Sequence, residues 1–446
     1  MSPLTVLVRG VLEWACPQSV FEELFDRECR PQQWNRKLTT SAIAWLMLTV
    51  VSGSRRSVFA AFQADQASDS PNILATASAL YAKYGRIDPR YTTAVIRESG
   101  RRKSELLRAA GVKEPFGWEG YRVVMLDGTD LAGTEHRLKP LRRIKAAGLP
   151  GRFVAAYELA TGQVIDAEAS EDAYTSERVL VRPILAKATP RELFVADRHF
   201  CTTEVLFTII DRKARFVIRQ HENLRWQPLK EARAVGRVAT GEVWEQPIAV
   251  EDTDTGARRR MRRILLKLDT PTDEGDAEIV LLSNLEGISA LRVCELYRDR
   301  WTIERHFSLL KTVLHGEIEG LGRPRAALFA MGMAMVAANA LNVVKHALRV
   351  THGVEEFEKL SGYYMADEVA GNYRAVDVLV SEAEWSALAG EPAEEFWRWS
   401  QAVGSHVRTR GLHKHPRGPK KPKPPRASGK ERHHYSTYRL LKDEDT

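Results

Sequence analysis

The segment Tyr297-Arg298-Asp299-Arg300-Trp301-Thr302-Ile303-Glu304-Arg305-His306-Phe307-Ser308-Leu309-Leu310-Lys311 sets charged, aromatic and apolar side chains at helical intervals. At about 100° per residue, Tyr297, Arg300, Glu304 and Lys311 fall within an arc of about 60° on one helix. Leu296, Ile303, Phe307, Leu310 and Leu314 form the apolar stripe beside it. Such a helix docks by the second stripe and presents an acid among two bases and an aromatic with the first. Periodicity alone reads Arg300 and Glu304 equally well as an ordinary i,i+4 surface ion pair. Two aspartates shift the balance: Asp127 in Leu126-Asp127-Gly128-Thr129 and Asp197 in Val195-Ala196-Asp197-Arg198, each directly after an apolar run. Taken singly, either reads as a turn residue or a helix cap, and Asp130 and Glu135 are rival acids near the first. Taken with Glu304 they make three converging carboxylates, stable together mainly when a divalent cation neutralises them. Hard oxygen ligands suit Mg²⁺ or Mn²⁺. Two such ions about 3.5 to 4 Å apart would activate a water or hydroxyl and stabilise the leaving oxygen in phosphodiester cleavage.

The elements that must position these groups follow from apolar patterning. Strands are expected at Tyr121 to Leu126, Arg152 to Tyr157 and Gln163 to Ala167; then helix at Ser176 to Lys187, strand at Leu193 to Ala196, helix at Thr203 to Lys213 and strand at Arg215 to Arg219. This is a mixed α/β layer with Asp127 and Asp197 at strand C-termini, where open α/β sheets place their sites. Residues 220 to 287 read as a β-rich insertion with the basic cluster Arg258, Arg259, Arg260, Arg262 and Arg263, which is either a DNA-tracking face or a protected strand edge. One long helix is expected from about Ser289 to His315, with further helices over 324 to 350 and 377 to 404. The first 115 residues read as helical. Thr76 to Tyr84 and Thr92 to Ser99, followed by Arg101, Arg102 and Lys103, suggest either a helix-turn-helix or an ordinary helical hairpin.

Of the 446 residues, 44% are hydrophobic and 28% charged, a composition that excludes a largely disordered or collagen-like chain. The net charge of +8 is concentrated: residues 405 to 434 hold ten Lys and Arg against one acid, while the chain outside 405 to 446 is balanced. That basic tail is expected to be disordered and to add salt-sensitive DNA affinity. Its histidines, His413, His415, His433 and His434, are not read as metal ligands. Cys16, Cys29, Cys201 and Cys294 lie far apart, which argues against a disulfide framework and for a reducing cytoplasm. No secretory signal is apparent. Ala326 to Val344 approaches the length of a membrane span, but its Asn339 and Asn342 favour a buried helix.

On these residues the sequence resembles the DDE transposases of bacterial insertion sequences, of the insertion-sequence-4 type, whose signature is Tyr-x2-Arg-x3-Glu-x6-Lys. Tyr297, Arg300, Glu304 and Lys311 match its four positions, and Trp301 follows the Arg as in some members. The Asp127 and Asp197 segments resemble those around the first and second catalytic acids. The resemblance covers about 120 to 350. It implies a ribonuclease-H-like α/β catalytic core interrupted by a β-rich insertion, which agrees with the 106 residues between Asp197 and Glu304. Carried across by position, Asp127, Asp197 and Glu304 would bind two Mg²⁺ or Mn²⁺ ions and do the catalysis, while Tyr297, Arg300, Trp301 and Lys311 would contact DNA. Trp226 and Trp244 are candidates for stacking a flipped base.

The reading that follows is a transposase that binds the terminal inverted repeats of its element as a homodimer on double-stranded DNA, cleaves there and joins the 3′ hydroxyls to target DNA, away from any membrane, in a bacterial cytoplasm. Its regions are 1–115, helical and end-binding; 116–219 and 288–320, the split core; 220–287, the insertion; 321–404, a helical extension; and 405–446, the tail. The alternatives are a nuclease of the same core that does not join strands, and a silent DNA-binding repressor.

Overall fold

A computed structural model describes residues 2–29, 37–68, 71–111, 117–131, 138–143, 147–272, 275–415 and 434–444. Six helices come first: α1 Pro3–Ala15, α2 Gln18–Cys29, α3 Thr40–Val51, α4 Val58–Gln66, α5 Ala77–Tyr84 and α6 Pro89–Ala109. Side-chain caps from Thr39, Ser57, Thr76 and Asp88 open the last four. The strands β1 Arg122–Asp130, β2 Ala147–Leu149, β3 Arg152–Glu158 and β4 Gln163–Ser170 follow. The expected helix at 176 to 187 is two short ones, α7 Glu177–Leu180 and α8 Arg182–Leu185, broken where Pro183 opens the second. Then come β5 Glu192–Ala196, α9 Thr203–Asp211 and β6 Arg215–Arg219.

The β-rich stretch supplies β7 Trp226–Pro228, β8 Arg233–Val238, β9 Gly241–Glu251, β10 Arg258–Leu268 and β11 Glu278–Ser283. It continues the same sheet. The order is β4-β3-β1-β5-β6-β11-β10-β9-β7, with β8 also pairing β9. β3 runs antiparallel to both of its neighbours, β1 and β4, while β5 and β6 run parallel to β1. The result is a mixed sheet among many helices. Because β10 lies between β11 and β9, the arginine cluster is not on a protected edge. Arg258 pairs with Glu251, Arg259 with Asp211 and Arg262 with Glu245, and Arg263 donates to Gln220.

The expected single helix from 289 to 315 is two, α10 Ala290–Arg298 and α11 Trp301–Thr312, and Arg300 stands at the break. α12 Pro324–His352 is long and apolar enough to cross a membrane, yet 94% of its apolar window is buried inside the protein. α1, α3, α5 and α6 pack on it. So do the later helices α13 Val354–Lys359, α14 Gly362–Leu379 and α16 Ala393–Gly404, the last two separated by α15 Glu382–Ala389, which packs on α1.

α6 also covers β4, with Gly100 set against the Val164 carbonyl. α6 is buried along Tyr91 to Ile96, so the start of this helix is not open to a DNA groove. Of its basic run, Lys103 is wholly buried and donates to the Val336 carbonyl at 2.7 Å, and Arg102 donates to Trp14 O at 2.9 Å.

The tail departs from the expectation of disorder at both ends. Lys414 N donates to Lys359 O and His413 pairs with Glu356. β12 His434–Ser436 runs parallel to β2, and α17 Thr437–Glu444 follows it. The Lys- and Pro-rich stretch 416–433 and the rival acid Glu135 lie outside the described residues. All four cysteines are free and buried.

Candidate active site

The register of β1 against β5 runs from Arg122↔Glu192 to Leu126↔Ala196. Asp127 and Asp197 therefore follow a matched pair and stand side by side. β1 does not end there, as its apolar run suggested, but continues to Asp130 against β3. Val123 to Leu126 and Leu193 to Ala196 are fully buried, which fixes both carboxylates at the limit of the core. Asp127 Oδ1 accepts from Gly128 N at 2.9 Å. Asp197 Oδ1 accepts from His199 N at 2.9 Å and Oδ2 lies 3.2 Å from His199 Nδ1, so this aspartate is also the cap of the 3-10 turn Arg198–Phe200.

α11 docks on β1 with Ile303, Phe307 and Leu310 buried, and its first turn carries Glu304 toward the aspartates. Between them is Arg300. Its Nη2 is 2.7 Å from Glu304 Oε1 and its Nη1 is 4.0 Å from Asp127 Oδ2. The guanidinium also lies 5.8 Å from the Tyr297 ring centre and 5.9 Å from that of Trp301. Its Nε is buried with no hydrogen-bond partner. Tyr297 is largely buried, whereas Trp301 is 61% exposed. Lys311, at the other end of α11, donates to Asp130 O at 2.7 Å and pairs with Glu317 at 3.0 Å.

Electrostatics register the crowding of the acids. Burial pushes the Asp127 carboxyl up to about 7, opposed by Arg300 and reinforced by the charges of Asp197 and Glu304. For Arg300, burial pulls downward, but Tyr297, Glu304 and Asp127 outweigh it and hold the guanidinium protonated. Burial alone takes His306 down to about 4, and its ring rests 4.9 Å from that of Tyr157, so it is a neutral core residue.

Two groups escaped the sequence reading. Glu177 lies directly over Gly128, where a Cβ would collide with its carboxylate. Arg152 joins it to the site, with Nη2 3.8 Å from Glu177 Oε1 and Nε 2.8 Å from Asp130 Oδ1. The one sequence signal was Gly128 itself, a strand glycine that marks a close approach. Trp226 and Trp244 lie in the insertion strands, each with a cation over its ring, Arg263 at 4.8 Å and Lys267 at 4.7 Å.

The donor set of Asp127, Asp197 and Glu304 fits a hard divalent ion in chemistry and in charge. In spacing it is not a ready cage: among the described residues no three His, Cys, Asp or Glu side chains are gathered to hold a metal. The Arg300 guanidinium lies between Glu304 and Asp127 instead. A family model described as "Transposase DDE domain" matches residues 118–340, half of the chain, and this span contains strands β1 to β11, the three acids and α11. Among curated proteins none matches the chain.

Proposed function

The chain belongs to the transposase DDE-domain family, and on that premise we propose that Asp127, Asp197 and Glu304 are the acids with which it cuts and joins DNA. The observation that carries this reading is the β1–β5 register, which sets the two aspartates abreast, together with the Arg300 contact that ties Glu304 to the first of them. The order β4-β3-β1-β5-β6, three antiparallel strands and then two parallel ones, supports a ribonuclease-H-like core split into 116–219 and 288–320. The strands of 220–287 extend that core, the helices of 1–115 and 321–404 enclose α12, and 405–446 is a basic appendage.

In this mechanism the three carboxylates would hold two Mg²⁺ or Mn²⁺ ions, which would supply activation of a water or 3′ hydroxyl and stabilisation of the leaving oxygen. Arg300 and Lys311 take the DNA backbone as charge-assisted donors, Tyr297 adds a hydroxyl donor, and the exposed Trp301 offers a stacking face to an unpaired base. The substrates are the element's terminal repeats and the target duplex, held by a homodimer in the cytoplasm of a bacterium.

Glu304→Gln is nearly isosteric and is expected to abolish cleavage of a duplex carrying the DNA that flanks the gene, with binding of that duplex retained. Undiminished cleavage by the purified variant would refute the assignment. A joined product on a gel separates transposase from simple nuclease, and Mg²⁺-dependent nicking separates either from a repressor.

A further inference from the structure

We infer that Arg300 is a built-in counter-ion of the acid site: it occupies the place of a divalent cation between Glu304 and Asp127, and it yields that place when a DNA phosphate draws its guanidinium away. The inference rests on the proposed role of the acids and deepens it by assigning a control on metal entry. Three observations support it. Arg300 contacts two of the three carboxylates, at 2.7 and 4.0 Å. It stands at the break between α10 and α11, where the residue makes no side-chain cap and its side chain can change partner without unwinding a helix. And its buried Nε has a donor to spare, so the guanidinium is held by two of its three nitrogens.

The energetic logic is an exchange. Without a cation, three neighbouring carboxylates repel, and one guanidinium relieves Glu304 and Asp127. A phosphate is at least as good a partner for that planar fork as a carboxylate. DNA that engages Arg300 therefore strips the counter-charge from the acids at the moment the ion is wanted. If the closed arrangement outweighs the open one by about tenfold, the apparent metal affinity of the free protein falls by about the same factor. Linkage makes the effect reciprocal, so bound metal tightens DNA by the factor by which DNA tightens metal. Free protein is thereby kept from charging its nuclease centre away from DNA.

The test is Mn²⁺ binding to the full chain without DNA, followed by the loss of the free-ion signal in electron paramagnetic resonance. The wild type is expected to bind weakly. Arg300→Gln should bind about tenfold more tightly, and so should Arg300→Met, which keeps an unbranched stem against Tyr297 and Trp301 and serves if the first variant misfolds. Arg298→Gln, which removes the same charge from an exposed neighbouring position, should leave the affinity unchanged. Equal or weaker Mn²⁺ binding in both Arg300 variants, with Asp197→Asn lowering it, overturns the counter-ion role and leaves the acid site standing. Failure of every form to bind Mn²⁺ overturns the acid site and this inference with it.

Discussion

Arg300 and Lys311 fasten α11 to the two ends of one short stretch of β1, the first at Asp127 and the second at the Asp130 carbonyl. The placement of Glu304 thus depends on two cations that are also the proposed DNA contacts. Lys311→Ala is accordingly expected to act twice. Loss of a phosphate contact should make the salt dependence of DNA binding shallower by about one unit of slope, and loss of the bond to Asp130 O should destabilise the fold by about 1 kcal/mol. A salt titration and a urea melt separate the two effects, and an unchanged slope would remove Lys311 from the DNA contacts. The acids could be picked out of the sequence because each aspartate directly follows an apolar run, and Glu304 because it shares a stripe with Tyr297 and Arg300. The bond of Lys311 to β1 and the approach of Glu177 to Gly128 could not, since each joins residues far apart in the chain through contacts that leave no periodic trace.

At the level of elements, the bond between α12 and the sheet is the most exacting. Asn339, wholly buried, accepts from Val164 N at 2.9 Å and donates to Val164 O at 2.8 Å, so a side chain completes the outer edge of β4 as a strand would. Asn339→Ala leaves both backbone groups buried and unpaired, and an unfolding free energy lower by about 2–4 kcal/mol is expected from denaturant melts. A loss below about 0.5 kcal/mol would show that the edge is satisfied some other way. Patterning found β1, β3, β4, β5 and β6 because their apolar runs are compact, and Gly, Asp or Pro stands beside the first four. It missed the break at Asp299–Arg300 because helical spacing continues across it. It missed α13 and α14 because α14 buries only a thin line, Met365, Ala366, Val369, Tyr373 and Val376, while Val378 and Leu379 face solvent.

Across the whole molecule, the helices on either side of the family match share one core. Arg9 of α1 is buried, paired with Glu13, and lies over the rings of Trp45 and Trp385 at 3.9 and 5.1 Å, so helices before and after the family match are locked together. The described parts of the tail are held by acids: Asp172 accepts from Ser436 at 2.6 Å and Arg439 at 2.5 Å, and Glu356 accepts from His413 at 2.7 Å and Thr409 at 2.9 Å. His413, Thr409 and Lys359 hold the Glu356 carboxyl down to about 2. A depressed carboxyl contributes stability that is complete above its ordinary value near 4.5 and is lost as the pH falls through 2. Thermal melts of wild type and Glu356→Gln should therefore differ most above pH 5 and converge toward pH 2; a gap that persists at pH 2 would detach this stability from the titration.

The strand order has one more outcome. At one margin of the sheet, α6 and the Asn339 amide cover β4; at the other, β9 carries only the three-residue β7 with its Pro228 and the bulged β8. Among the described residues neither margin of this large sheet offers a long open ladder, which disfavours the growth of fibres by backbone pairing along it.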